Sequence, residues 1–105
     1  MEYQFNGERY ITKGIAEMLP STVQILMFSG IDIMRKKTDG KLDYLQVFTL
    51  KTFGENKNML LNIMQEQENP ERCINYVIPT DKTIDTKVYI IDDIDHVTML
   101  LAEEY

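Results

Sequence analysis

The chain has 105 residues, of which 44% are hydrophobic and 27% charged, and its net charge is −6. This length fits a single domain over residues 1–105 that buries its own core, and the composition excludes a wholly disordered chain. The negative charge falls on residues 51–105, which hold eleven acidic and five basic side chains. Because nucleic acids are bound mainly through Lys and Arg, we predict no nucleic-acid partner.

Cysteine content and hydropathy indicate the cellular compartment of the protein. Cys73 is the one cysteine of the sequence, so no disulfide can form within the chain. The N-terminus lacks the basic and apolar regions of a signal peptide, and no apolar run approaches the roughly 18 residues that cross a bilayer. We therefore predict a cytoplasmic protein without membrane contact.

In chain order, the first predicted element is a short strand over residues 9–13, which are rich in β-formers. A helix is predicted next, from about residue 21 to residue 38. Ser21 and Gln24 have the S-x-x-Q spacing of a capping box at its start, and Asp39-Gly40 is a typical stop signal.

The predicted helix has two different faces. Its apolar face follows the helical period and has Gly30 near its centre, where a glycine predicts close approach to a sheet. Ile25 and Phe28 point the other way, on either side of Asp32, and these three residues are candidates for partner binding. The basic residues 35–37 fall at the predicted C-terminus, where cations complement the helix dipole.

The rest of the chain predicts β-structure. Strands are expected at residues 43–53, 58–66, 73–78, 87–91 and 97–101, the last of which is compatible with a helix as well. Short connections favour antiparallel pairing. The predicted fold is α+β, with one amphipathic helix packed on a mostly antiparallel sheet of five to six strands that could curl toward a barrel.

The most distinctive segment of the sequence contains Asp92, Asp93, Asp95 and His96. Carboxylates and an imidazole can bind a divalent cation. In a strand, however, Asp92 would face away from Asp93 and Asp95, and the spacing does not fit an EF-hand loop. We therefore predict a turn between two strands, keep these four residues as weak metal candidates and predict no cofactor.

Catalytic motifs are not recognisable in the sequence, and we predict that the protein is not an enzyme. His96 is the one histidine, so acid–base chemistry near neutral pH would fall to it first. Cys73 could pair with it as a nucleophile, but the alternating strand around Cys73 favours a buried, unreactive thiol. No catalytic residue is predicted.

Three stretches of the sequence carry a family resemblance. They are residues 9–15 (RYITKGI), 43–48 (DYLQVF) and 90–105 (IIDDIDHVTMLLAEEY). Together they resemble a family of short uncharacterised proteins, a domain of unknown function from staphylococci, other Firmicutes and their phages. The resemblance implies one domain and a bacterial cytoplasmic origin, and it implies no activity, ligand or catalytic residue.

The favoured hypothesis for function is a small non-enzymatic interaction module, an adaptor or regulator that binds a protein partner or forms a homodimer. One contact surface would be formed by Ile25, Phe28 and Asp32 of the helix. A second would be an acidic face on which Glu103 and Glu104 adjoin the carboxylates of residues 92–95. One alternative is a small metal-dependent hydrolase that uses residues 92–96. Another is a phage-type acidic decoy that imitates the charge of a nucleic acid.

Overall fold

The computed structural model describes residues 3–105 and divides them among six strands and two α-helices. The strands are β1 (Glu8–Ile11), β2 (Leu45–Phe53), β3 (Leu60–Glu68), β4 (Glu71–Pro79), β5 (Asp85–Asp92) and β6 (His96–Leu101). The helices are α1 (Lys13–Met18) and α2 (Ser21–Lys37), and 3₁₀ turns lie at Asn56–Asn58 and Ala102–Glu104.

All six strands form one sheet in the order β1-β6-β5-β2-β3-β4. Strand β1 runs parallel to β6, and every other neighbouring pair is antiparallel. The α+β prediction with a mostly antiparallel sheet is confirmed. The sheet does not close into a barrel, which the sequence had left open, and it has β1 at one edge and β4 at the other.

The core lies between α2 and one face of the sheet. Strand residues at alternate positions are buried there, because successive side chains of a strand point to opposite faces. The largest of these strand side chains include Phe48, Leu50, Leu61, Ile63, Ile90 and Met99, and the helix adds Met27, Ile31 and Met34. Burying each such side chain contributes about 1.5–3 kcal/mol.

The start of α2 differs from the predicted capping box. Ser21 is the first helical residue, and Pro20 occupies the cap position without a side-chain hydrogen bond. In a capping box, the side chain of the third helical residue accepts a hydrogen bond from the backbone N–H of the cap residue. Proline has no backbone N–H, so Pro20 cannot complete this motif. The Nε2 of Gln24 instead donates to the carbonyl of Leu19 at 3.0 Å.

The end of α2 agrees with the sequence. Thr38 is the C-cap, and Gly40 has a φ of +84° and donates its N–H to the carbonyl of Arg35 at 2.8 Å. Basic residues 35–37 occupy the last turn, as predicted. No helix within residues 3–105 is long and apolar enough to span a bilayer.

Helix α1 was not predicted from the sequence. The first strand ends at Ile11, and Thr12 caps α1 by accepting the N–H of Ile15 on its hydroxyl at 3.3 Å. Ile15 is fully buried, which anchors this six-residue helix in the core. At the other end of the chain, residues 96–101 form a strand and only the next three turn into a 3₁₀ helix.

Candidate functional site: an acidic groove on the open face of the sheet

The face of the sheet opposite α2, here called the open face, carries the half-buried and exposed strand residues. The strand register places Val47 beside Glu66 on one side and beside Tyr89 on the other. Glu68 lies opposite Glu71 at the β3–β4 hairpin. Carboxylates thus collect on the β3–β4 side of the open face, and apolar and aromatic side chains on the β2–β5 side.

A groove of about 450 Å³ lies where these two regions meet, and we call it the acidic groove. Its lining residues come from four strands and from the loop before β2. They are Asp43, Tyr44, Leu45, Val47, Glu66, Gln67, Glu68, Glu71, Lys87 and Tyr89. Four of these side chains are carboxylic acids and one is a lysine, so the groove is negative at neutral pH.

The tyrosines at the groove are held by ring contacts. Tyr44 lies 5.8 Å from Tyr3, and Tyr89 meets Tyr105 edge to face at 5.4 Å. The pKa of Tyr44 is raised, chiefly by the nearby Tyr105 and by partial desolvation, and then by Asp43. Negative neighbours raise the pKa of a phenol because they disfavour its anion.

Beneath the groove, on the helix side of the sheet, three buried glutamines form a continuous hydrogen-bonded chain. Gln65 Nε2 donates to Gln46 Oε1 at 3.0 Å, and Gln46 Nε2 donates to Gln67 Oε1 at 2.7 Å. Gln67 Nε2 then donates to the carbonyls of Lys41 and Pro70 at 3.0 and 2.8 Å. Within residues 3–105, no buried side-chain nitrogen or oxygen lacks a partner.

This glutamine chain positions the walls of the groove. Gln67 Oε1 also accepts the N–H of Asp43 at 3.1 Å, and Asp43 Oδ2 accepts the N–H of Asn69 at 3.1 Å. The loop before β2 is thereby tied to the β3–β4 hairpin. Because satisfied buried polar networks are rigid, we infer that the groove is preformed rather than assembled around a ligand.

Residues 92–96 form the predicted turn, which brings Asp93 Oδ1 to 3.5 Å from His96 Nδ1 but does not gather the four candidates into one site. Asp92 is 4% exposed, and its two carboxylate oxygens accept the backbone N–H groups of Phe5 and Ile94 at 2.9 and 2.8 Å. Asp93 Oδ1 accepts the N–H of His96 at 2.7 Å. Among the residues that the structure describes, no group of three His, Cys, Asp or Glu side chains is placed to hold a metal ion.

Cys73 and His96 are not brought together. Cys73 lies on the edge strand β4 and His96 on β6, and three strands separate β6 from β4 in the sheet order. At about 4.8 Å between neighbouring strands, the two strands are roughly 19 Å apart, and Cys73 lies level with Leu100 rather than with His96. The prediction of a buried Cys73 is also wrong, because its side chain is exposed on the open face.

The helix residues predicted to bind a partner have different environments. Ile25 is 65% exposed. Phe28 does not point outward as expected, because it packs partly buried against the core with the Arg9 guanidinium 4.8 Å above its ring. Asp32 is exposed and pairs with Arg35. An outward Ile25–Phe28 pair is therefore not formed.

The predicted acidic C-terminal face is also not formed. Glu104 Oε1 accepts the hydroxyl of Thr12 at 2.7 Å and the N–H of Leu101 at 2.8 Å, and these two bonds lower the pKa of Glu104. Glu103 is exposed beside it. The turn at residues 93–95 lies at the other end of β6, so the two acidic groups are separated by the length of that strand.

The groove residues were missed in the sequence because they meet only through strand pairing. A usable signal was present nonetheless. Gln46 alternates in phase with Phe48 and Leu50, and Gln65 with Ile63, which marks both glutamines as buried. The remaining strand positions, which include Glu66 and Glu68, must then lie on the opposite face.

Comparison with known proteins gives a family and a structural neighbour. The model of a family described as a staphylococcal protein of unknown function (DUF960) matches residues 8–104. A crystal structure of a protein of unknown function from Enterococcus faecalis is similar, with a TM-score of 0.69 and 24% identity over 100% of this chain and 98% of that chain. No curated protein matches the sequence. The family match covers nearly the whole sequence, and the chain therefore belongs to the DUF960 family of staphylococcal proteins of unknown function.

Proposed function

We propose that the protein is a non-enzymatic interaction module of the cytoplasm, an adaptor or regulator, which binds a basic segment of a protein partner in the acidic groove. The lining of the groove is the observation that carries this proposal. Four carboxylates stand beside two tyrosine rings in one concave surface. Carboxylates attract Lys and Arg side chains, and aromatic faces attract the same cations through their ring electrons.

The lining of the groove offers contacts to both the apolar stem and the charged end of a basic side chain. Leu45 and Val47 supply an apolar floor along which the methylene groups of an Arg or Lys can lie. The charged end then reaches Glu66 and Glu68, whose carboxylates are exposed and available. Arg fits this arrangement better than Lys, because its planar guanidinium binds carboxylates in two places and stacks on aromatic rings.

The expected affinity follows from the strength of such contacts. An exposed ion pair contributes about 0.2–1 kcal/mol and an exposed cation–π contact about 0.5–1 kcal/mol. A single basic side chain would therefore bind only weakly. We expect recognition of a segment with at least two basic residues, and affinity that falls as salt screens the charges.

The proposal is tested by fluorescence anisotropy with a labelled extended peptide that carries several arginines, compared with a Lys version and a neutral Gln version. We expect the order Arg, then Lys, then Gln. The double variant Glu66→Gln/Glu68→Gln keeps the shape of the groove and removes two charges, so its affinity for the Arg peptide should fall about tenfold.

Glu103→Gln is the matched control, because it removes an exposed charge that does not line the groove. Its affinity should stay near that of the unchanged protein. Equal losses in the control and the double variant would show only a general charge effect. No binding of the Arg peptide at low salt would reject the proposal.

A further inference from the structure

The free edge of β4 is a second surface through which the protein can bind another chain. Edge strands of natural proteins are usually short or are protected by lysines, prolines or bulges, because their unpaired backbone groups bind other strands. Strand β1, at the opposite edge, has only four residues. Strand β4 has nine, pairs with β3 in unbroken register and contains no lysine, and its one proline, Pro79, is its last residue. Its edge is therefore long and regular.

The register shows which backbone groups of β4 point outward. The N–H of Thr80 donates to the carbonyl of Met59 at 3.2 Å, just beyond the paired residues Leu60 and Pro79. Hydrogen-bonded and non-bonded pairs alternate along an antiparallel ladder. The residues of β4 that bond to β3 are then Ile78, Tyr76, Ile74 and Arg72. The N–H and C=O groups of Cys73, Asn75 and Val77 consequently face the free edge.

Two observations at the ends of β4 agree with this assignment. Pro79 has no N–H, and it occupies an outward-facing position, where proline is tolerated on edge strands. At the other end, the outward carbonyl of Glu71 accepts a hydrogen bond from Nη1 of Arg72 at 2.7 Å. That carbonyl is already satisfied within the chain.

We propose that two copies of the chain pair through this edge, with β4 of one copy antiparallel to β4 of the other and the twofold axis at Asn75. Asn75 then lies opposite Asn75 of the second copy, and Cys73 lies opposite its Val77. These pairs exchange both of their backbone hydrogen bonds. The pairing is argued from the edge of β4 and not from the proposed function of the groove, although Glu71 belongs to both.

This register is compatible with the backbone groups at both ends of the strand. Glu71 meets Pro79 of the second copy, which has no N–H to offer, and the Glu71 carbonyl keeps its bond to Arg72. A register centred at Ile74 instead would set the N–H of Val77 against that carbonyl and displace Arg72. The register at Asn75 also overlaps all nine residues of both strands.

The side chains favour a second copy over an unrelated strand. A twofold pairing is self-complementary: if a residue of the first copy contacts a given position of the second, the same contact occurs with the copies exchanged. On the open face, the two Asn75 amides can hydrogen-bond each other, and Val77, which is 50% exposed, covers Cys73 of the second copy. Like charges do not meet directly in this register, since Glu71 faces Pro79 and Arg72 faces Ile78.

The dimer would join the two sheets and present both open faces on one side, because residues opposite each other in an antiparallel pair share a face. An edge contact is small, so we expect reversible dimers at micromolar concentrations rather than a permanent assembly. Sedimentation velocity over a range of concentrations measures this equilibrium directly.

The test compares the unchanged chain with Asn75→Lys, which sets two lysines opposite each other, and with Asn75→Ser, which does not. Position 75 is exposed, so neither variant should alter the circular dichroism spectrum. We expect the dissociation constant of the dimer to rise at least about tenfold with Lys and little with Ser. A chain that stays monomeric at millimolar concentration, or a dimer indifferent to Asn75→Lys, would overturn the proposal.

Cysteine cross-linking tests the register. In Val77→Cys, the new thiol lies opposite Cys73 of the second copy, so mild oxidation should give a covalent dimer on a non-reducing gel. The unchanged chain is the control, because its own Cys73 meets Val77 and should not cross-link. Efficient cross-linking of the unchanged chain would contradict the register, and so would the failure of Val77→Cys to cross-link when its dimer is present in solution.

Discussion

Asp92 Oδ2 accepts the backbone N–H of Phe5 at 2.9 Å, across a separation of 87 positions in the chain. Phe5 is 2% exposed and has a φ of +54°, so its ring fills the core from an unusual backbone conformation. The other oxygen of the same carboxylate accepts the N–H of Ile94. One buried side chain thus holds both the entry of the N-terminal segment and the turn after β5.

Replacing Asp92 should therefore destabilise the fold. Asp92→Ala removes a charged acceptor and leaves the buried N–H of Phe5 without a partner, which costs about 3 kcal/mol. Asp92→Asn keeps one acceptor oxygen and should lose about half as much. Urea unfolding followed by circular dichroism measures both. Asp95→Ala is the control, because Asp95 is exposed, and a comparable loss there would contradict this reasoning.

Gly30→Ala should also be destabilising, although alanine is the better helix former by about 1 kcal/mol. A Cβ at this position would overlap the side-chain oxygens of Gln65 and Tyr76. We expect a net loss of about 2 kcal/mol, since both oxygens belong to a partly buried hydrogen-bonded pair that would have to move. Ser29→Ala, on the exposed side of α2, should be neutral or slightly stabilising in the same unfolding experiment. A stabilised Gly30→Ala would disprove the close contact.

The titration of Tyr76 should be separable from that of the exposed tyrosines. Burial raises the pKa of Tyr76 from 10.0 to about 12, because the phenolate would lose its hydration. The folded state favours the protonated phenol, so this contribution to stability is complete below pH 10 and is lost as the pH rises through about 12. Absorbance near 295 nm should show a late phase that Tyr76→Phe removes. If the late phase persists in Tyr76→Phe, it belongs to another tyrosine and the prediction for Tyr76 is wrong.

Ile94→Gly should stabilise the turn after β5. Ile94 has a φ of +81°, a conformation that is costly for a β-branched residue and free for glycine, and its side chain is 52% exposed. Relief of this strain should raise the stability by about 1 kcal/mol, visible as a higher melting temperature. The comparison variant is Ile94→Val, which keeps the branched Cβ and should show no gain. A lower melting temperature for the glycine variant would mean that the Ile94 side chain packs more strongly than its exposure indicates.

The elements of this fold were largely predictable because they depend on local pattern. In strand β3 the apolar Leu61 and Ile63 alternate with Asn62, and the buried residues of α2 recur at the helical period from Val23 to Met34. Helix α1 was not predicted because a helix of six residues is too short to be stable on its own, and Gly14 weakens it further. Its formation depends on burial of Ile15, which only the tertiary structure supplies.

The candidate site was much less predictable than the fold. The clustered residues 92–96 were candidates for a metal site, but the carboxylates of Asp92 and Asp93 accept backbone N–H groups of a turn. The groove combines Asp43, Glu66 and Tyr89, which are far apart in the chain and meet only through the register of four strands. Side-chain chemistry alone cannot reveal such a site, because the decisive information is which strands become neighbours.

The parallel pairing of β1 with β6 also has a consequence for how the chain folds during synthesis. Strand β1 is made before the other five strands, yet its residue Glu8 pairs with His96 of β6, the last of the six to be made. Until then its backbone groups remain without their final partner, and the antiparallel hairpin of β3 and β4 can form first because its contacts are local. The pairing of β1 with β6 should therefore be the last step in closing the sheet, after the local hairpins have formed.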